Sequence, residues 1–70
     1  MYNIVNGRVF SYPNETVAQR VKTETHAVTE HIYHNRLIVV HHAGTEEDCQ
    51  RFVKDLNVSA HVVRTVDISI

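Results

Sequence analysis

Histidine is the residue type in this sequence that could support the most chemistry, because six of its 70 residues are histidines. Neutral histidine is a common metal ligand, and it also exchanges protons near neutral pH. His31 and His34 are spaced i, i+3, and His41 and His42 follow closely. Three nitrogens from this set could bind zinc and leave an open coordination position, as catalytic zinc sites do. A histidine-based zinc-binding protein, with hydrolysis as its reaction, is therefore one functional hypothesis.

The same histidines also fit structural roles. His31 and His34 near the end of a helix would interact favourably with the negative end of its dipole. His26 would pair with Glu30 on the helix surface. No HExxH motif is present to strengthen the zinc hypothesis. Protonation of all six histidines would change the net charge from −1 to +5, so the surface charge should depend strongly on pH.

Other residue types with catalytic potential lack a supporting context. Cys49 could act as a nucleophile beside a histidine, but it shares a helical stripe with Phe52, Val53 and Leu56, where a thiol is buried and inert. The segment 41–45 leads into an acidic helical turn that would repel phosphate, and neither a P-loop nor a dinucleotide fingerprint is present. We therefore expect a protein without enzymatic activity.

A nucleic-acid site near the N-terminus is a further hypothesis. Tyr2, Arg8, Phe10 and Tyr12 interleave aromatic and basic side chains that could stack single-stranded bases. The chain has 7 basic and 8 acidic residues with no basic stripe, however, which disfavours nucleic-acid binding. Single-stranded nucleic-acid binding is therefore the second alternative to a protein-binding role.

Length and composition indicate one small domain over residues 1–70. A chain of this size buries only about 60–65% of its unfolded surface, so its margin of stability is thin. Its lone cysteine excludes an intramolecular disulfide. The longest apolar run, Leu37–Val40, is too short to cross a membrane, and the N-terminus lacks the features of a signal peptide. These features predict a cytoplasmic protein.

The first structural element is predicted to be a β-hairpin. Asn6-Gly7 joins two strand-like segments, and this dipeptide favours a two-residue turn in which both residues have positive φ. In that register Val5 faces Arg8, Ile4 faces Val9, and Tyr2 faces Ser11.

The segment after Pro13 fits a long helix, capped by Asn14 and extending to His34. Four of its apolar residues fall within a narrow wedge at 100° per residue: Val17, Val21, Val28 and Ile32. A left-handed Asn35 would end this helix. The alternative is a strand over residues 25–33 that pairs with residues 37–42 through a turn at residues 34–36.

The remainder of the chain predicts strand, helix and strand. Leu37–Val40 is apolar on both faces, as in a central strand. Thr45 and Asp48 resemble a capping box before a second helix, and residues 60–68 alternate as a last strand. The predicted fold is a two-layer α+β sandwich in β-β-α-β-α-β order, with two helices on a four-stranded mixed sheet.

The apolar residues on both sheet faces exceed what two helices can cover. If both helices lie on one face, the other exposes a patch that should form a protein interface. If they lie on opposite faces, the patch shrinks. We therefore predict a protein-binding or regulatory module that self-associates as a homodimer. Phage-encoded inhibitors of host factors are often this compact, so a viral inhibitor of a host or cellular factor is one such role. The predicted interface residues are Val5, Phe10, Tyr12, His61 and Val63.

Overall fold

A computed structural model describes residues 1–34 and 36–68, which form a five-stranded mixed sheet with two α-helices. The sheet order is β1-β2-β4-β3-β5, with β2 and β4 parallel and all other neighbours antiparallel. In the described residues no helix is long and apolar enough to span a membrane. The elements are β1 (Tyr2–Val5), β2 (Arg8–Ser11), α1 (Glu15–Thr23), β3 (His26–Ile32), β4 (Leu37–Gly44), α2 (Glu46–Asp55), β5 (His61–Arg64) and a 3₁₀ turn (Thr65–Asp67).

The N-terminal hairpin is confirmed with the predicted register. Ile4 faces Val9 and Val5 faces Arg8 across β1 and β2. Asn6 and Gly7 have φ values of 51° and 77°, which is the left-handed geometry that a two-residue turn requires.

The long helix predicted from Asn14 to His34 is wrong beyond its first half. Asn14 does cap α1, because its Oδ1 accepts a hydrogen bond from the Val17 N–H at 3.0 Å. The helix ends at Thr23, and the residues that follow form β3. This strand pairs with β4, from His26 opposite Gly44 to Ile32 opposite Leu37. The alternative strand was thus the correct interpretation, and the sheet has five strands rather than four. The predicted conformation of Asn35 lies outside the described residues.

The physical reason is that β-branched residues in β3 gain more from pairing than from a helix. Val28 and Thr29 are almost completely buried once β4 and β5 flank them. Branching at Cβ restricts χ1 in a helix but packs well on a pleated surface. Tyr33 and His34, both with positive φ, then reverse the chain into β4.

The two helices cover opposite faces of the sheet. On one face, Val21 of α1 belongs to a buried cluster with Phe10, Ile38 and Val40. On the other face, α2 packs against β3, β4 and β5, and its Phe52 ring stacks on His42 at a centroid distance of 4.6 Å. The predicted two-layer sandwich is therefore corrected to a sheet with one helix on each side.

The second helix and the C-terminal segment complete the fold. Thr45 caps α2 as predicted, since its Oγ1 accepts from the Asp48 N–H at 3.1 Å. The last strand ends at Arg64, earlier than predicted. Thr65 then binds the end of α1, because its Oγ1 donates to the Glu24 carbonyl at 2.6 Å. This anchor turns the chain across the α1 face, where Ile68 is buried.

Shortening Ile38 should test the core on the α1 face. Ile38 is 2% exposed, so Ile38→Ala should leave a cavity and lower the free energy of unfolding by about 3 kcal/mol. Val66→Ala is the matched control, because Val66 is 61% exposed and its change should stay within about 0.5 kcal/mol. Urea denaturation measures both, and equal losses would contradict this description of the core.

Candidate interaction surface

The sheet face predicted to be an exposed interface is largely buried by the chain itself. Val5, Phe10 and Tyr12 are only 5%, 3% and 8% exposed, because α1 and the segment ending at Ile68 cover them. Val63 is half-buried against the same cluster, and His61 is exposed. The prediction assumed both helices on the opposite face. Since they divide between the faces, these residues do not form an open patch.

A group of apolar residues stays exposed on the other face, beyond the reach of α2. Residues directly opposite one another in neighbouring strands share a face. The register aligns Ile4 with Val9 and Leu37, and it aligns Tyr2 with Ser11 and Val39. We call the apolar members of these two rows the open surface: Tyr2, Ile4, Val9, Leu37 and Val39.

The open surface is most exposed where it reaches the edge of the sheet. Tyr2 and Ile4 on β1 are 73% and 69% exposed, while Val9, Leu37 and Val39 are partly buried. Within the described chain β1 pairs with β2 alone. Its sequence, Tyr-Asn-Ile-Val, has neither a charged residue nor a proline, which are the common means of protecting an edge strand.

His41 and His42 both lie on the same face as the open surface, although consecutive side chains of a regular strand point to opposite faces. The ladder shifts register between Val28 and Thr29, so that His41 is an extra residue in β4. Such a bulge lets consecutive side chains point the same way. The His41 Nε2 lies 2.8 Å from a carboxylate oxygen of Glu30, next to the open surface.

His42 forms the second histidine–carboxylate pair, on the part of this face that α2 covers. Its Nε2 lies 2.6 Å from Oδ2 of Asp48, in the first turn of α2. The hydrogen bond to His42 lowers the pKa of the Asp48 carboxyl below its usual value of 3.8. A Cβ at Gly44 would lie 2.5 Å from Asp48 Oδ2, so a larger residue there would displace the Asp48 carboxylate from this pair. These contacts fix the start of α2 against the end of β4.

The remaining histidines have separate surroundings. His26 lies 3.4 Å from a Glu46 carboxylate oxygen, so its predicted pairing with Glu30 is not formed. His31 meets His61 edge to face at 5.8 Å. His34 lies in the turn before β4.

The four histidines predicted as zinc ligands are therefore not brought together. His31 is beside His61 on the face that α1 covers, and His34 is in the turn. His41 contacts the Glu30 carboxylate, and His42 contacts the Asp48 carboxylate. In residues 1–34 and 36–68 no three His, Cys, Asp or Glu side chains are grouped so that they could hold a metal ion.

The N-terminal aromatic and basic residues do not form a shared stacking platform either. Phe10 and Tyr12 are buried, which leaves Tyr2 and Arg8 exposed. Arg8 faces Val5, and Tyr2 lies on the opposite face. Successive bases could not stack along this set.

Comparison of the chain with protein-family models, with curated proteins and with solved structures finds no match. Its function must therefore be inferred from its own residues. The features that bear on function are the open surface, the edge formed by β1 and the histidine–carboxylate pairs.

The sequence contains one signal for the open surface, which is the register of the N-terminal hairpin. The hairpin register already placed Tyr2, Ile4 and Val9 on one face. Their exposure could be foreseen only with knowledge of which helix covers which face, and that depends on β3 being a strand.

Cys49 should be unreactive in the folded protein. It is fully buried, and burial raises the pKa of its thiol above the usual 9.0, so the reactive thiolate is rare. We expect Ellman's reagent to label it at neutral pH only as fast as the chain unfolds. Chain unfolded in urea is the control and should react at once. Rapid labelling without denaturant would contradict this environment.

The His42–Asp48 pair should make stability depend on acid pH. Because the native pKa of Asp48 is lowered, its contribution is present above pH 3.8 and is lost as the pH falls below that value. Asp48→Asn should therefore lower the melting temperature at about pH 6, and the difference from wild type should narrow at about pH 2.5. Glu47→Gln removes another carboxylate from the same turn as a control. If the difference in melting temperature between Asp48→Asn and wild type is the same at both pH values, the stabilising role of the ionised Asp48 is refuted.

Proposed function

We propose that this protein is a protein-binding module that associates with a second copy of itself through the edge of β1 and the side chains of the open surface that lie on it. The observation that carries this proposal is the exposure of Tyr2 and Ile4, which are 73% and 69% accessible on an uncharged edge strand. Apolar side chains grouped in this way indicate an interface more often than scattered ones do.

The size of the protein supports an interface that combines the surface with the edge. A standard interface takes about 800 Å² from each partner, roughly a sixth of the 4768 Å² that this chain exposes. The five side chains of the open surface span only three strands. Adding the edge of β1 enlarges the contact area and also engages backbone groups.

The chemistry of the surface favours a protein partner. None of its five residues is charged, so it offers no phosphate contacts of the kind that dominate nucleic-acid binding. A module that acts by covering a partner's surface belongs to the regulatory and inhibitory class of small proteins. An inhibitor of a host or cellular factor would be one member of that class.

Placing a charge on the open surface should test the proposal. We expect the untagged protein at high micromolar concentration to show twice its 8.1 kDa chain mass by size-exclusion chromatography with light scattering. Ile4→Lys should give the monomer mass, because the lysine removes the apolar contact of Ile4 and brings two like charges close together in the dimer. Val66→Lys is the matched control, since Val66 is also exposed but lies outside the surface, and it should remain dimeric.

The outcomes separate clearly. A wild-type protein that is strictly monomeric at this concentration would refute self-association. A dimer that Ile4→Lys leaves intact would show that another surface makes the contact. Circular dichroism of each variant verifies that the comparison is between folded proteins.

A further inference from the structure

We infer that two copies join by antiparallel pairing of β1 with the partner's β1, in one register. Tyr2 faces the partner's Ile4, and Asn3 faces the partner's Asn3 across a twofold axis. The two five-stranded sheets then become one continuous sheet of ten strands. This inference rests on the proposed self-association and adds the strand, direction and register of the contact.

The backbone of β1 determines which of its groups are free for pairing. Tyr12 N–H donates to the Met1 carbonyl at 2.8 Å, which makes Met1 and Tyr12 a hydrogen-bonded pair in the hairpin ladder. Hydrogen-bonded and non-hydrogen-bonded pairs alternate along an antiparallel ladder. Asn3 and Val5 therefore direct their N–H and C=O groups toward β2. Tyr2 and Ile4 direct theirs outward, away from the sheet.

Twofold symmetry restricts how these outward groups can meet. A rotation about an axis normal to the sheet keeps each face on its own side, so opposed residues must belong to the same face. Tyr2 opposite the partner's Ile4 satisfies this condition and forms two hydrogen-bonded pairs, with four hydrogen bonds in all. Registers centred on Ile4 or on Tyr2 align one such pair, with two hydrogen bonds, within the strand.

The side chains favour the same register. Tyr2 and the partner's Ile4 would form an aromatic–β-branched pair on the uncovered face, which is a stabilising cross-strand combination. Of the open surface, Tyr2 and Ile4 would lie in the contact, and the residues on β2 and β4 would flank it on the same face of both copies.

Lys22, which lines a depression beside Tyr2 and Asn3, supplies a positive charge close to this edge in each copy. The two copies therefore bring like charges near each other, and raised salt, which screens charges, should not weaken the dimer.

A cysteine at the twofold axis tests the register. Residues in a non-hydrogen-bonded pair have Cα atoms about 4.5 Å apart, which falls within the range that a disulfide spans. Asn3→Cys should therefore form a covalent dimer rapidly under mild oxidation. Ile4→Cys should do so slowly, because each new thiol would face Tyr2 rather than its own copy. Wild type is the control for Cys49, which is buried and should not cross-link.

Proline at position 4 tests the role of the backbone. The Ile4 N–H faces outward, so Ile4→Pro removes no hydrogen bond within the subunit but removes two between the copies. We expect the dimer dissociation constant to rise by about tenfold or more relative to Ile4→Ala. Ile4→Ala is the matched control, because it also shortens the side chain but retains the N–H. Equal dissociation constants would overturn strand pairing.

The results distinguish this inference from the broader proposal. A dimer in which Asn3→Cys fails to cross-link overturns the pairing of the two β1 strands and leaves self-association standing. Faster cross-linking of Ile4→Cys than of Asn3→Cys overturns the register. A wild-type monomer removes both. Rapid cross-linking at position 3, together with weakening by proline, supports the ten-stranded sheet.

Discussion

The antiparallel pairing of β3 with β4 is the interaction on which the rest of the structure depends. Ala27 and Val28 in β3, and Val40 and Ala43 in β4, are completely inaccessible to solvent. The hairpin joins the sheet through β4, and β5 joins it through β3. The two helices cover these strands from opposite sides. A protein of this size with no disulfide derives its stability from one such doubly covered ladder.

The parts of the fold that depend on interactions between residues close in sequence were predicted correctly. Asn6-Gly7 specified a turn and its register, and Asn14 and Thr45 each capped a helix. Residues 24–32 were different, because Val28 and Ile32 fit a helical face as well as a strand. What decides between the two is a partner strand distant in sequence. Only the alternative of pairing with residues 37–42 anticipated the outcome.

That one ambiguity also explains why the candidate site was only partly predictable. The hairpin register correctly identified which side chains share a face. With β3 taken as a helix, the covered face was assigned wrongly, and Phe10 was expected outside although it lies in the core. His31 and His34 lost their i, i+3 proximity for the same reason, since one lies in a strand and the other in the turn that follows. The bulge at His41 left no signal in the residue pattern.

The two outer strands of the sheet differ in a way that limits how far assembly can go. β5 has four residues, begins with an exposed histidine and ends with an exposed arginine, after which the chain turns away toward α1. β1 is equally short, so it is the charge of Arg64 and the turn of the chain after it that discourage addition of another strand to β5. Contact through β1 would therefore use the outer strand of each described sheet that is open to pairing. The two β5 strands, which resist pairing, would then form the ends of the combined sheet. Growth would stop at a closed pair, and the protein would avoid the open-ended stacking that leads to fibres.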